Sequence, residues 1–167
     1  MRCFKINTDR SCKGSNGRTS CGGVIRVHLG EWMRDFSKFV GCCSSLEAEL
    51  WSVYSGIFMA WNMSLRNVIV ESDCVEAIKL IHHDDRLGGS LAIVRYIREF
   101  YKKDWCLSFI CINRNNNRVV DALATTVSTT DLRLLEFEEP QEFVLTFLQE
   151  DLDLLLFQIN FDLMYFC

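Results

Sequence analysis

The sequence predicts an α/β fold: a mixed five-stranded sheet, three antiparallel strands followed by parallel crossovers, flanked by helices. Three observations predict it. Near the N-terminus, three strand-like stretches are joined by short glycine-containing turns, which suit antiparallel neighbours and are too short for parallel ones. Further on, the continuous run Val68-Ile69-Val70 is short, apolar and β-branched, as in a strand buried on both faces. Helical periodicity stands on either side of that run, as β-α-β crossovers require.

The elements follow in order. Cys3 to Asp9, Gly22 to His28 and Trp32 to Val40 read as the three strands, with turns at Lys13 to Arg18 and Leu29 to Glu31. Leu46, Leu50, Val53 and Ile57 then recur at spacings of four, three and four, a helix stripe running to about Trp61. Ser44 and Glu47 match a capping box at its start. Asn67 to Ser72 is the buried strand and should lie centrally, parallel to a neighbour. Val75 to His82 and Ser90 to Lys103 are helical by pattern, Cys106 to Ile112 alternates as a strand, and Val119 to about Thr126 reads as a last helix.

A chain of 167 residues holds one domain, and 49% hydrophobic with 12% aromatic content supplies a core for it. The nine cysteines form no C-x-x-C pair and no metal-ligand cadence. They are expected to be reduced, buried small hydrophobes of an intracellular protein, cytoplasmic or nuclear rather than secreted. No leader-like start and no apolar run of membrane-spanning length is present, so a soluble monomer is expected, with no membrane partner.

The net charge of -4 hides an asymmetry: residues 1–40 sum to +5, residues 41–130 to -1 and residues 131–167 to -8. Acidity belongs to the C-terminal end, so a polyanionic partner fits the first 130 residues. The single proline, Pro140, falls where composition turns acidic. A domain of residues 1–130 is therefore expected, followed by an acidic then apolar tail, 131–167, read as an appended or adventitious end that packs on the domain or causes aggregation, in preference to a functional anchor.

Four acids stand at positions that matter. Asp9 ends the first predicted strand and Asp73 the central one, and right-handed crossovers would set those strands side by side. Glu49 lies about 70° from the centre of its helix stripe, close enough to face the same sheet edge. Glu47 lies at a similar angle on the other flank but has the capping role. Asp121, after the polar loop Asn113 to Arg118, opens the last helix, where the dipole favours any acid. Each acid taken singly also reads as a solvated charge or a cap. Taken together, converging carboxylates call for a cation, and hard oxygen donors favour Mg²⁺ or Mn²⁺. Two such ions, roughly 4 Å apart, can activate a water and stabilise the leaving oxygen of a phosphodiester.

At these same residues the chain resembles the ribonuclease H family, in particular the reverse transcriptase-like domains of plant non-LTR retroelements. K-I-N-T-D-R-S at Lys5 to Ser11 resembles the first-strand motif, and S-S-L-E-A-E-L-W at Ser44 to Trp51 resembles the helix that carries the second acid. V-I-V-E-S-D at Val68 to Asp73 looks like the third site, and R-N-N-N-R-V-V-D-A-L-A at Arg114 to Ala124 resembles the closing motif. The resemblance runs over residues 3–130.

It implies hydrolysis of the RNA strand of an RNA-DNA hybrid, with Asp9, Glu49, Asp73 and Asp121 holding two Mg²⁺ ions, Mn²⁺ being an alternative. It further implies nucleic-acid contacts at Arg10, Ser11, Lys13, Ser44, Ser45, Arg114 and Asn117. Ser44 and Ser45 read equally as helix caps. Arg95, Arg98 and Lys102 share a helix face that reads as solvated or as phosphate-contacting, and His28, His82 and His83 end elements and are assigned to no metal. Two departures stand out. Arg10 occupies the position of the family's usual glycine, where it either clamps a phosphate or obstructs one, and the loop Lys13-Gly14-Ser15-Asn16-Gly17 lacks a proline. Because the first strand begins almost at Met1, a retroelement fragment is expected. The alternative is a degenerate ribonuclease H-like module that binds nucleic acid without cleaving it.

Overall fold

Alternating residues and short turns give the first part of the chain a three-stranded antiparallel meander: β1 (Phe4–Lys13), β2 (Arg18–Val27) and β3 (Trp32–Cys42). The computed structural model describes residues 3–13, 18–27, 30–82, 91–113, 120, 123–125, 132–142 and 144–146, with residues 12 and 13 described by backbone alone. β1 and β2 are longer than the sequence suggested. Asp9 does not end β1: the ladder with β2 continues through Arg10–Cys21 to Lys13–Arg18. Hydrophobic alternation reports burial, whereas pairing is made by the backbone, so a strand outlasts its apolar signal wherever it turns polar.

Helix α1 (Ser45–Asn62) follows and is set by its cap. The Glu47 amide donates to Ser44 Oγ at 3.2 Å and the Ser44 amide donates to Glu47 Oε2 at 3.0 Å, the reciprocal bonds of a capping box. The Ser44 amide and the Ser44 hydroxyl, which also donates to Oε2 at 2.8 Å, hold the Glu47 carboxyl below the usual carboxylate range. Leu50, Val53 and Ile57 of the stripe are fully buried, and Leu46 packs beside them. α1 lies close on β1, since a Cβ at Gly56 would stand 2.8 Å from Ile6 Cγ2.

Strand β4 (Asn67–Ser72) runs parallel to β1 on one side and to β5 (Cys106–Cys111) on the other, central as its β-branched run predicted. Between β4 and β5 lie α2 (Val75–His82) and α3 (Ala92–Tyr101). Among the described residues the sheet order is β5-β4-β1-β2-β3-β6, six strands rather than the expected five. The extra strand, β6 (Leu134–Phe137), pairs antiparallel with β3, so the start of the acidic segment is part of the sheet. Arg34 of β3 meets Glu138 just beyond it at 2.7 Å.

One face of the sheet carries α1, α2 and α3 over a core that includes Ile6, Ile25, Phe36, Val68 and Val70. The other face has a smaller cluster of Val24, Val120, Leu123 and Val144 with Trp32 against it. Residues 120 and 123–125 are helical, in the stretch expected to form the last helix. Seven cysteines have described side chains and none of these is in a disulfide, but only Cys21 is buried, against the expectation for all; Cys42, Cys106 and Cys111 are exposed because they fall at strand ends or on the β5 edge. Two of the three cations expected on this face are engaged within the protein: Arg98 donates to the carbonyls of Leu80 (2.6 Å) and Ile81 (3.2 Å), closing the end of α2, and Lys102, just past α3, meets Glu99 at 2.5 Å, while Arg95 is exposed. His82 ends α2 with its ring edge-on to Phe109, while His28 and His83 lie outside the described residues. No described helix is long and apolar enough to cross a membrane.

Candidate metal centre

The site lies where two neighbouring strands separate. β1 and β4 stay paired from Phe4–Val68 to Thr8–Ser72 and then part, β1 continuing with β2 while the chain after β4 turns into α2. Asp9 and Asp73 are the first residues past that last pair, so the fork presents both side by side. The turn at Asp73 is fixed from both ends: the Cys74 amide donates to Ser72 Oγ at 3.1 Å, and the Ile112 amide donates to the Ser72 carbonyl at 3.0 Å. Glu49 reaches the fork from the second turn of α1, which the capping box and the apolar stripe hold against β1 and β2.

Asp9, Glu49 and Asp73 each offer a carboxylate oxygen, and the three lie within 4.8 Å of one another. Asp9 and Glu49 are buried, at 4% and 6% exposure, and Asp73 is half-buried, so water screens the cluster from one side only. Its negative field reaches its neighbour: burial pushes the Cys74 thiol up, and Glu49 and Asp73 push it further. Asp9 Oδ1 accepts from the Arg10 amide at 2.7 Å. Arg10 Nε also stands 3.3 Å from Glu49 Oε1, an ion pair inside the acidic cluster.

Of the sequence-predicted residues, the structure thus brings together Asp9, Glu49, Asp73 and Arg10. Ser44 and Ser45 are exposed at the start of α1, with Ser44 engaged as the cap. Ser11 is buried in the β1–β2 ladder opposite Ser20. Asp121, Arg114, Asn117 and the side chain of Lys13 lie outside the described residues. Helical residues 123–125, just after Asp121 in the sequence, are close by: Gly22 is the partner of Asp9 across the ladder, and a Cβ on it would stand 3.0 Å from the Ala124 amide nitrogen and 3.1 Å from Leu123 Cβ. Ser20, two residues earlier, donates to the Ala124 carbonyl.

Two buried polar features were missed by the sequence reading. Glu71 accepts from Asn7 Nδ2 at 2.7 Å and meets Lys5 Nζ at 2.7 Å, which ties β1 to β4 just behind the fork. Period-two alternation sets Glu71 on the same side of β4 as Asp73, and a buried acid there required partners. Asp35 of β3 is fully buried opposite Val24, and burial pushes its carboxyl up to about 6 against a smaller downward pull from the Trp32 indole.

Residues 7–127 match the family described as reverse transcriptase-like, a span that includes all four acids. An Arabidopsis thaliana protein bearing the name of a ribonuclease H protein is 32% identical over 148 residues, 88% of this chain. The chain spans 24% of that relative's length. Among solved structures, the N-terminal ribonuclease H domain of a Mycobacterium tuberculosis protein superposes with a TM-score of 0.67 at 15% identity, over 75% of this chain and 92% of that one. A ribonuclease H1, LC11, crystallised in complex with an RNA/DNA hybrid, superposes with a TM-score of 0.59 at 18% identity, over 72% of this chain and 92% of that one.

Proposed function

The chain belongs to the reverse transcriptase-like family and has the ribonuclease H fold, and on that premise we propose that it is a metal-dependent endonuclease that hydrolyses the RNA strand of RNA-DNA hybrids. The observation that carries the proposal is the meeting of Asp9, Glu49 and Asp73, from three separate elements, within 4.8 Å at the strand fork. Three carboxylates this close repel one another, and the single guanidinium of Arg10 offsets only part of that cost. The donor set fits a hard divalent ion: it is all oxygen, with no histidine or cysteine among the three.

Bound there, a pair of Mg²⁺ or Mn²⁺ ions would supply activation of a water and stabilisation of the leaving oxygen in phosphodiester hydrolysis. Asp9 and Asp73 would hold that charge from the two arms of the fork, with Glu49 closing it from the helix. Asp121 is proposed as the fourth ligand; support comes from Leu123 and Ala124, which pack on Gly22 directly across the ladder from Asp9. Ser44 and Ser45, exposed at the helix start about a turn before Glu49, are suited to contact the minor groove of the hybrid, where 2'-hydroxyls mark the RNA strand. The hybrid seen with LC11 supports this choice of substrate.

The test is cleavage of end-labelled RNA-DNA hybrid in Mg²⁺ by the full chain, with Asp73→Asn beside it. Cleavage by the native chain alone is expected. Equal cleavage by both proteins, or none by either, would overturn the proposal, and salt-sensitive binding without cleavage would favour a nucleic-acid-binding module that has lost its chemistry.

A further inference from the structure

Among the described residues, one cation already sits in the acidic cluster. Arg10 follows Asp9 directly, its Nε stands 3.3 Å from Glu49 Oε1, and the pair is largely removed from water, the Glu49 side chain being 7% and the Arg10 side chain 30% exposed. Coulombic attraction between such partners exceeds that of a surface pair because solvent screens it less. The other two carboxylates lie within 4.8 Å of Glu49, so the guanidinium neutralises one unit of a formal charge of three. The oxygen it engages belongs to a side chain that a divalent ion would need.

We infer that Arg10 is a resident counter-cation of the site: it steadies the three carboxylates in the metal-free protein and must release Glu49 before an ion can bind. Arg10 therefore positions Glu49 and sets the metal concentration at which the site fills. A neutral residue at position 10 leaves the carboxylates more repulsive when empty and more attractive to a dication. The metal-free protein becomes less stable and the bound ion tighter, two effects of one cause.

The inference rests on the metal reading above, and the experiment separates their failures. Mn²⁺ is titrated calorimetrically into the full chain and into Arg10→Gln, Arg10→Lys and Glu49→Gln, with folding of each checked by circular dichroism. Arg10→Gln is expected to bind Mn²⁺ about tenfold more tightly, the scale of removing one like charge from a partly buried cation site. Arg10→Lys, which keeps the charge, should stay near the native value, and Glu49→Gln should bind weakly. Unchanged affinity in Arg10→Gln, with binding still dependent on Glu49, overturns the role of Arg10 and leaves the metal reading standing. Absence of Mn²⁺ binding in every protein overturns both. A second readout uses the native chain: the ¹⁵Nε–H signal of Arg10 should move during an Mg²⁺ titration with the midpoint of ion binding, and a signal that stays fixed while the ion binds overturns the inference.

Discussion

Thr8 and Ser72 are the last partners of the β1–β4 ladder, and the site exists because the two strands part after them. Asp9 stays paired with β2 alone and Asp73 lies past the end of β4, so no ladder joins the two where their carboxylates meet and repel. Asp73→Asn is therefore expected to raise the stability of the metal-free protein, by about 1–3 kcal/mol for one unit charge near 5 Å in a partly screened site, while slowing hybrid cleavage strongly. Thermal denaturation in EDTA and in Mg²⁺ checks the first half: the native chain should gain stability with Mg²⁺ and the variant should not. A variant destabilised in EDTA would show that Asp73 is a structural acid.

Asp35 predicts a pH dependence at the other end of the sheet. Its carboxyl has a raised value of about 6 in the folded chain against an ordinary 3.8. Between those values the folded state binds more protons than the unfolded one, so stability falls as pH rises through that window. Asp35→Asn removes this loss, and is expected to stabilise the protein by about 3 kcal/mol at pH 7.5 and by little near pH 4. Urea denaturation at both pH values measures it; equal effects would mean that Asp35 is ionised at no cost beside Trp32.

How far the site could be read in advance depended on which force placed each residue. Leu50, Val53, Ile57 and the β4 run are set by burial, which leaves a periodic trace, and the crossover rule then put Asp9 beside Asp73. β6 left no such trace: its residues lie in an acidic segment, three half-buried and Glu136 exposed, and are held to β3 by backbone bonds that any side chain permits. Asp35 was hidden for a related reason, since alternation marks the faces of β3 but not which elements cover each face. Arg10 was noticed as a departure, yet its contact depends on two long side chains from separate elements, a distance no spacing rule supplies. Asp121 still rests on its motif, with only its helix neighbours placed by structure.

Ser44 was read equally as a cap and as a nucleic-acid contact, and its geometry makes the two separable. Both capping-box bonds are present and the residue is exposed. Ser44→Ala is expected to cost about 1 kcal/mol of stability through lost capping. Ser44→Asp keeps a capping oxygen and complements the helix dipole, so it should hold stability while placing an anion where a phosphate backbone would pass. Hybrid affinity measured by fluorescence anisotropy should fall in Ser44→Asp if the hybrid lies against the start of α1; unchanged affinity would restrict Ser44 to capping.

Gly22 offers a way to move the last helix without touching an acid. It faces Asp9 across the ladder, and an added Cβ would press on the Ala124 amide nitrogen at 3.0 Å, Leu123 Cβ at 3.1 Å and the Phe36 carbonyl at 3.2 Å. Two of these atoms are backbone, which yields less readily than the end of a flexible side chain, so Gly22→Ala is expected to cost about 1–3 kcal/mol. The relief available is for the helix of residues 123–125 to lift away from β2, and any residue it carries toward Asp9 lifts with it. If Asp121 is the fourth ligand, folded Gly22→Ala should bind Mn²⁺ more weakly and cleave hybrid more slowly than its loss of stability explains. Stability lowered with metal affinity and cleavage intact would mean that Asp121 does not depend on this contact, and that Asp9, Glu49 and Asp73 hold the ion without it.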